Sequence, residues 1–136
     1  MKKILAILLA LVMMLSIVAC GNKDKGAGEG EASAASDFKV GVILLHNDQI
    51  GYDAAHMEGV KTAAANLNIP AENIIWKYDI PEDEKAYDAA VDLAEQGCDI
   101  IFADSFGHES YVWQAASEYP DVVFCHATGS TAASAK

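Results

Sequence analysis

The sequence predicts an α/β fold, a parallel sheet with helices on both faces. Three observations predict it. Four short apolar runs alternate with three segments of helical periodicity from residue 38 onward. The apolar runs are nearly continuous, as strands buried on both faces require. Each run is separated from the next by a helix-length stretch, which suits the right-handed crossover that returns a chain to a parallel neighbour.

The elements follow in order. FKVGVILLH is the first strand, and a helix is expected from about 53 to 67, with Met57, Val60, Ala64 and Leu67 on its inner face and Ala63 beside them. Asn68-Ile69-Pro70 stops that helix, and NIIWKY forms the second strand. Pro81-Glu82-Asp83-Glu84 opens the next helix, because proline suits a first turn and acids there complement the positive end of the helix dipole. Its inward stripe is expected at Tyr87, Ala90, Val91 and Ala94, and Gly97 is placed to end it. CDIIFAD is the third strand, residues 109–119 the third helix with Val112, Ala115, Ala116 and Tyr119 inward, and DVVFCHA the fourth strand. Residues 130–136 have no apolar face and are expected to be an unstructured tail. With no helix after the fourth strand, part of one sheet face should lie open, and the chain reads as the front portion of something longer.

Ligands of such sheets bind beyond the carboxyl ends of the strands. The first loop brings His46, Asn47, Asp48, Gln49 and Tyr52 to that edge. The third brings Asp104, Ser105, Phe106 and His108, and the fourth His126, Thr128 and Gly129. Carboxylates and amides there can fix hydroxyls or ring nitrogens, and Tyr52 and Phe106 offer stacking surfaces. Asp53 suits either a helix N-cap or a ligand group, and Phe106 either a stacking face or a loop anchor. The histidines lack metal-ligand spacing, so no metal is expected. No nucleophile elbow, phosphate loop or dinucleotide fingerprint occurs, so the chain is not expected to be an enzyme and no cofactor is implied.

The N-terminus addresses location. Met1-Lys2-Lys3 precedes an apolar stretch at 4–19, short for a membrane span but suited to the core of a secretory signal. The run Ile17-Val18-Ala19-Cys20-Gly21 resembles the lipobox of bacterial lipoproteins. The resemblance implies a signal peptide at 1–19, acylation of Cys20, and anchorage at the outer face of a bacterial cell membrane. Residues 20–36, rich in Gly, Ala, Ser and charge, cannot bury enough surface to order themselves and read as a flexible linker.

Residues 37–129 then form one small domain. The chain carries nine Lys and no Arg against 20 acids, a formal charge of −11, so a phosphate backbone is an unlikely partner. Cys98 and Cys125 lie towards opposite ends of adjacent parallel strands, too far apart for a disulfide.

The stretches KVGVILLHNDQIGYDAAHMEGVKTA and AEQGCDIIFADSFGHESYVWQAASEYPDVVFCHATG resemble the front of the basic membrane protein family. The resemblance spans about 38–129. It rests most firmly on Met57-Glu58-Gly59 and on Glu118-Tyr119-Pro120-Asp121-Val122. These are lipid-anchored solute-binding proteins of ABC importers, of the purine nucleoside receptor type. Their type I periplasmic-binding fold has two lobes, of which this would be an incomplete N-terminal one. The resemblance implies a small-molecule ligand, an ABC permease and ATPase as partners, Asp48 as the ligand-reading acid, Gln49 beside it and Tyr52 as the aromatic platform. Asp104 and Ser105 fall where the family's third-strand loop faces the ligand. Gly51-Tyr52-Asp53 stands where the family has Ser-Phe-Asn. Two alternatives remain, a stand-alone lipoprotein interaction module and an enzyme built on Asp48, Asp104 and the histidines.

Overall fold

A computed structural model describes residues 37–131. The signal segment, Cys20, the linker up to residue 36 and residues 132–136 lie outside the described residues.

The described chain runs β1 (Val40–Ile43), α1 (Gly51–Asn66), β2 (Ile74–Lys77), α2 (Glu84–Glu95), β3 (Ile100–Ala103), α3 (Glu109–Glu118) and β4 (Val123–His126). Single 3-10 turns stand at Ala71–Asn73 and Phe106–His108. The four strands form one parallel sheet in the order β2-β1-β3-β4. The α/β class and the parallel sheet are as the sequence predicts. The strands are shorter than the apolar runs, because the runs continue into loops that stay buried: Leu44, just past β1, is 0% exposed.

Side-chain alternation along the strands sends apolar groups to two cores. On one face Ile43, Ile101 and Ala103 pack beneath α2 and α3 with Leu93, Val112 and Ala115. On the other, Val40, Val42, Leu44 and Ile74 pack against Met57 and Ala64 of α1.

Helix α2 starts later than Pro81-Glu82 suggests. Asp83 is its N-cap, and the Asp83 carboxylate accepts from the Lys85 N–H at 2.9 Å, which satisfies one of the end donors a helix otherwise leaves unpaired. Its buried stripe is Ala86, Ala89, Ala90, Leu93 and Ala94, with Tyr87 and Val91 at the border. The reason is size. Alanines let α2 settle onto the sheet at Gly41, where an added Cβ would lie 3.0 Å from Leu93 Cδ1 and 3.1 Å from Ile101 Cγ1. Tyr87 keeps its hydroxyl at the rim, donating to Glu118 at 2.9 Å. The helix ends as expected, with Gly97 at φ +79° and its N–H bonded to the Ala94 carbonyl.

Helix α1 departs from expectation on one flank. Met57 and Ala64 are buried, but Leu67 is 67% exposed and Ala63 is exposed. These two residues border a groove of about 580 Å³ floored by Val40, Ile100 and Phe102. Met57, Val60 and Ala64 still pack on the core, so it is the Ala63 and Leu67 flank of α1 that stands exposed among the described residues.

Of the expected tail at 130–136, only Ser130 and Thr131 are described, and both are tied to α3. Their N–H groups donate to Glu109 Oε1 at 2.5 and 2.6 Å, and Thr131 has helical geometry. Cys98 and Cys125 are free, and β-register pairs Cys125 with Phe102, four residues beyond Cys98, or about 13 Å along the sheet.

Candidate functional site

Because all four strands are parallel, the loops following them emerge at one edge. Their side chains divide into a buried tier and an exposed tier.

The buried tier holds three of the residues the sequence nominates for ligand contact. Asp53 is 1% exposed, and its Oδ1 accepts from the His46 N–H at 2.7 Å while Oδ2 lies 3.4 Å from His46 Nδ1. It is neither a helix N-cap, since Ile50 holds that position, nor open to solvent. It braces the β1–α1 loop. Asp104 is 3% exposed. Its Oδ1 accepts from the Leu45 N–H at 3.0 Å, and Oδ2 has no protein partner. Burial pushes the Asp104 carboxyl above its ordinary range; the Leu45 N–H opposes that rise, and the charge of nearby Asp53 adds to it. Ser105 is 7% exposed, and its hydroxyl donates to Glu82 at 2.5 Å. Asp53 and Ser105 spend their side chains on protein partners, and Asp104 spends one of its two oxygens so.

The exposed tier comprises Asp48, Gln49, Tyr52, Phe106 and Gly129. Gln49 follows a tight local turn in which its N–H donates to Asn47 Oδ1 at 3.1 Å. Tyr52 is half exposed, yet its hydroxyl donates to the Asp104 carbonyl at 3.0 Å. His56, one turn along, lies 4.5 Å from the Tyr52 ring and donates from Nδ1 to the Tyr52 carbonyl at 3.0 Å. The ring is therefore held across the β1 and β3 loops with a face open. Phe106 is 67% exposed at the start of its 3-10 turn. Gly129 is crowded, since an added Cβ would lie 3.0 Å from His126 Nδ1 and 3.1 Å from Glu109 Oε1.

Other side chains at this edge include Tyr78, His108 and His126, which the sequence already places there, and Glu82 and Glu109, which it does not single out. Tyr78, at the end of β2, is 42% exposed and stacks on Trp76 at 6.3 Å. Partial burial and the neighbouring Asp48 carboxylate both raise its phenol. Glu82 accepts from Ser105 Oγ and from the Gly107 N–H at 2.9 Å, and these bonds hold its carboxyl below the usual carboxylate range. Glu109 is lowered in the same way by the Thr131 and Ser130 N–H groups. His126 donates from Nε2 to the Ser105 carbonyl at 2.6 Å, and His108, fully buried, donates from Nε2 to the Ile80 carbonyl at 2.9 Å. Such contacts join residues more than 20 positions apart, and no local pattern announces them.

Exposed aromatic faces and an acid–amide pair can stack on and hydrogen-bond a polar ring. Among the described residues, no group of three or more His, Cys, Asp or Glu is placed to hold a metal ion. No described helix is long and apolar enough to cross a membrane.

No protein-family model and no curated protein sequence matches the chain. Solved structures that share its fold include the following two. One is an ABC transporter solute-binding protein from Conexibacter woesei, with a TM-score of 0.56 and 20% identity, covering 64% of this chain and 28% of that one. The other is a transcriptional activator of the comK gene from Bacillus halodurans, with a TM-score of 0.55 and 22% identity, covering 65% of this chain and 29% of that one. The aligned region spans less than a third of either neighbour. At these identities the likeness shows the fold alone: a parallel α/β sheet of the kind on which an ABC-transporter solute-binding protein is built.

Proposed function

We propose that this chain captures a small ring-bearing solute, such as a purine nucleoside, for an ABC importer and carries out no chemistry on it. The reading rests on one observation above all. The Tyr52 ring is tied at its hydroxyl to the Asp104 carbonyl while a face stays open at the carboxyl edge of the sheet. A ring fixed before the ligand arrives loses little further freedom on stacking, so more of the contact energy appears as affinity. Phe106 offers a second aromatic surface, Asp48 and Gln49 read polar groups of the base or sugar, and Gly129 borders the site. Asp53, Asp104 and Ser105 act from below by fixing the loops.

In this reading the protein is exported, acylated at Cys20 and tethered by residues 20–36 to the outer face of the cell membrane. A permease and an ATPase are its partners. Nucleic acid is not, given a formal charge of −11.

The test is a thermal-shift screen of nucleosides and nucleobases. A ligand at 100 times its Kd, bound only by the folded state, adds about 2.7 kcal/mol. For a domain near 100 residues that raises Tm by roughly 10 °C or more, and Tyr52→Ala should abolish the rise. The uncovered apolar groove beside α1 favours a second reading, a lipoprotein interaction module. No response to any nucleoside or base, with a protein crosslinked at that groove, would select it. Stabilisation by a divalent metal without any nucleoside response would point instead to carboxylate and histidine chemistry.

A further inference from the structure

We propose that Glu82 is a positioning residue of the candidate site, reaching from the β2–α2 loop to the β3–α3 loop and setting where Phe106 is presented. The proposal rests on the solute-binding reading of this edge. Glu82 contacts the residues on both sides of Phe106: its Oε1 accepts from Ser105 Oγ at 2.5 Å and from the Gly107 N–H at 2.9 Å. Phe106, between them, is 67% exposed. Gly107 is fitted to this approach. A Cβ there would lie 2.6 Å from Glu82 Cβ and 2.7 Å from its Cγ, closer than any side chain tolerates. A third bond joins the same two loops, from His108 Nε2 to the Ile80 carbonyl at 2.9 Å. That bond secures the far end of the 3-10 turn. Before the turn, His126 and Tyr52 hold the Ser105 and Asp104 carbonyls, and Glu82 adds the two bonds that flank Phe106 itself. Bonds to an ionised carboxylate are about twice as strong as neutral ones, so one exposed side chain can hold a loop of this size.

The test uses the full 136-residue chain, with guanosine as the probe and amide exchange and ring resonances read by NMR. Glu82→Ala is expected to speed exchange of the Gly107 N–H about tenfold, move the Phe106 ring resonances and weaken guanosine binding about tenfold. Exchange in β1 and β3 should stay as in the wild type. Glu82→Gln keeps an acceptor for Gly107 and can donate to Ser105 Oγ, so it should return each readout to within roughly threefold. Unchanged Gly107 exchange and Phe106 resonances in Glu82→Ala would overturn the proposal, as would Glu82→Gln behaving like Glu82→Ala. Faster exchange throughout the sheet would also overturn it, since that marks general destabilisation. Should Glu82→Ala fail to fold, Ser105→Ala removes one of the two bonds, and unmoved Phe106 resonances in that variant would count against the proposal. If wild-type protein ignores guanosine, the solute reading fails while the loop readouts still decide the role of Glu82.

Discussion

Asp53 offers the sharpest separation between a ligand group and a structural brace. Its side chain is 1% exposed and accepts from the His46 N–H at 2.7 Å, with His46 Nδ1 3.4 Å from the other oxygen. Asp53→Ala leaves that N–H without its acceptor. The cost of an orphaned buried donor is about 1–3 kcal/mol, and bonds to an ionised acceptor fall toward the upper end. The His46 ring is half exposed, so its ion pair adds no more than about 1 kcal/mol. Together these place Asp53→Ala about 2–3 kcal/mol below wild type. Asp53→Asn keeps an oxygen facing the His46 N–H and gives up mainly the ion pair, so it should lose about 1 kcal/mol or less. Urea unfolding at pH 7 measures both, with the m-value checked for constancy. Asp53→Ala within about 0.5 kcal/mol of wild type would refute the brace, as would Asp53→Asn falling as far as Asp53→Ala.

Other outcomes follow from the same structure. Leu93→Ala, at a fully buried position, should cost about 2–5 kcal/mol, and Gly41→Ala about 1 kcal/mol from crowding against Leu93 and Ile101; the double variant should fall short of their sum by about 0.5 kcal/mol in denaturant unfolding, because Leu93 Cδ1 is gone while Ile101 Cγ1 and the remaining Cβ still crowd the site. The raised Asp104 carboxyl binds its proton more tightly folded than unfolded, so its contribution is fully present below the ordinary value of 3.8 and is lost as pH rises through the folded-state value. Asp104→Asn mimics the protonated form and should match wild type in acid and exceed it progressively at higher pH, as melting temperatures across pH 3–7 would reveal. Burial pushes the Cys98 and Cys125 thiols up, so both should react slowly with a thiol reagent in the folded protein, and air oxidation should produce no intramolecular bridge by mass spectrometry.

The order of strands and helices was legible because buried runs and helical stripes are local signals. Details set by what lies across the fold were not. Leu67 has the right spacing for the inner face of α1, but spacing cannot say whether anything sits opposite, and it is 67% exposed. In α2 the stripe rotated toward Ala86, Ala89 and Leu93, because Gly41 in β1 rewards close approach and Tyr87 needs its hydroxyl at Glu118. At the candidate site the loops were legible, and the side chains within them only partly. Asp48, Gln49, Tyr52 and Phe106 face outward, while Asp53, Asp104 and Ser105 turn inward to partners on other loops. Glu82 reads locally as an acid suited to a helix start. Its bonds to Ser105 and Gly107 depend on the β2–α2 and β3–α3 loops meeting in space.

The groove beside α1, open among the described residues, makes β3 its own internal control for mutational tolerance. Its four residues alternate between two environments one position apart: Ile101 and Ala103 are sealed beneath α2 and α3, while Ile100 and Phe102 floor the groove. Saturation mutagenesis of this strand should return a period-two pattern of acceptance. Polar residues would be rejected at the sealed positions and admitted at the others, where water already reaches the side chain. A partner that covered the groove would erase that alternation, so the contrast between Ile100 and Ile101 reports on occupancy of the face without the partner's being known.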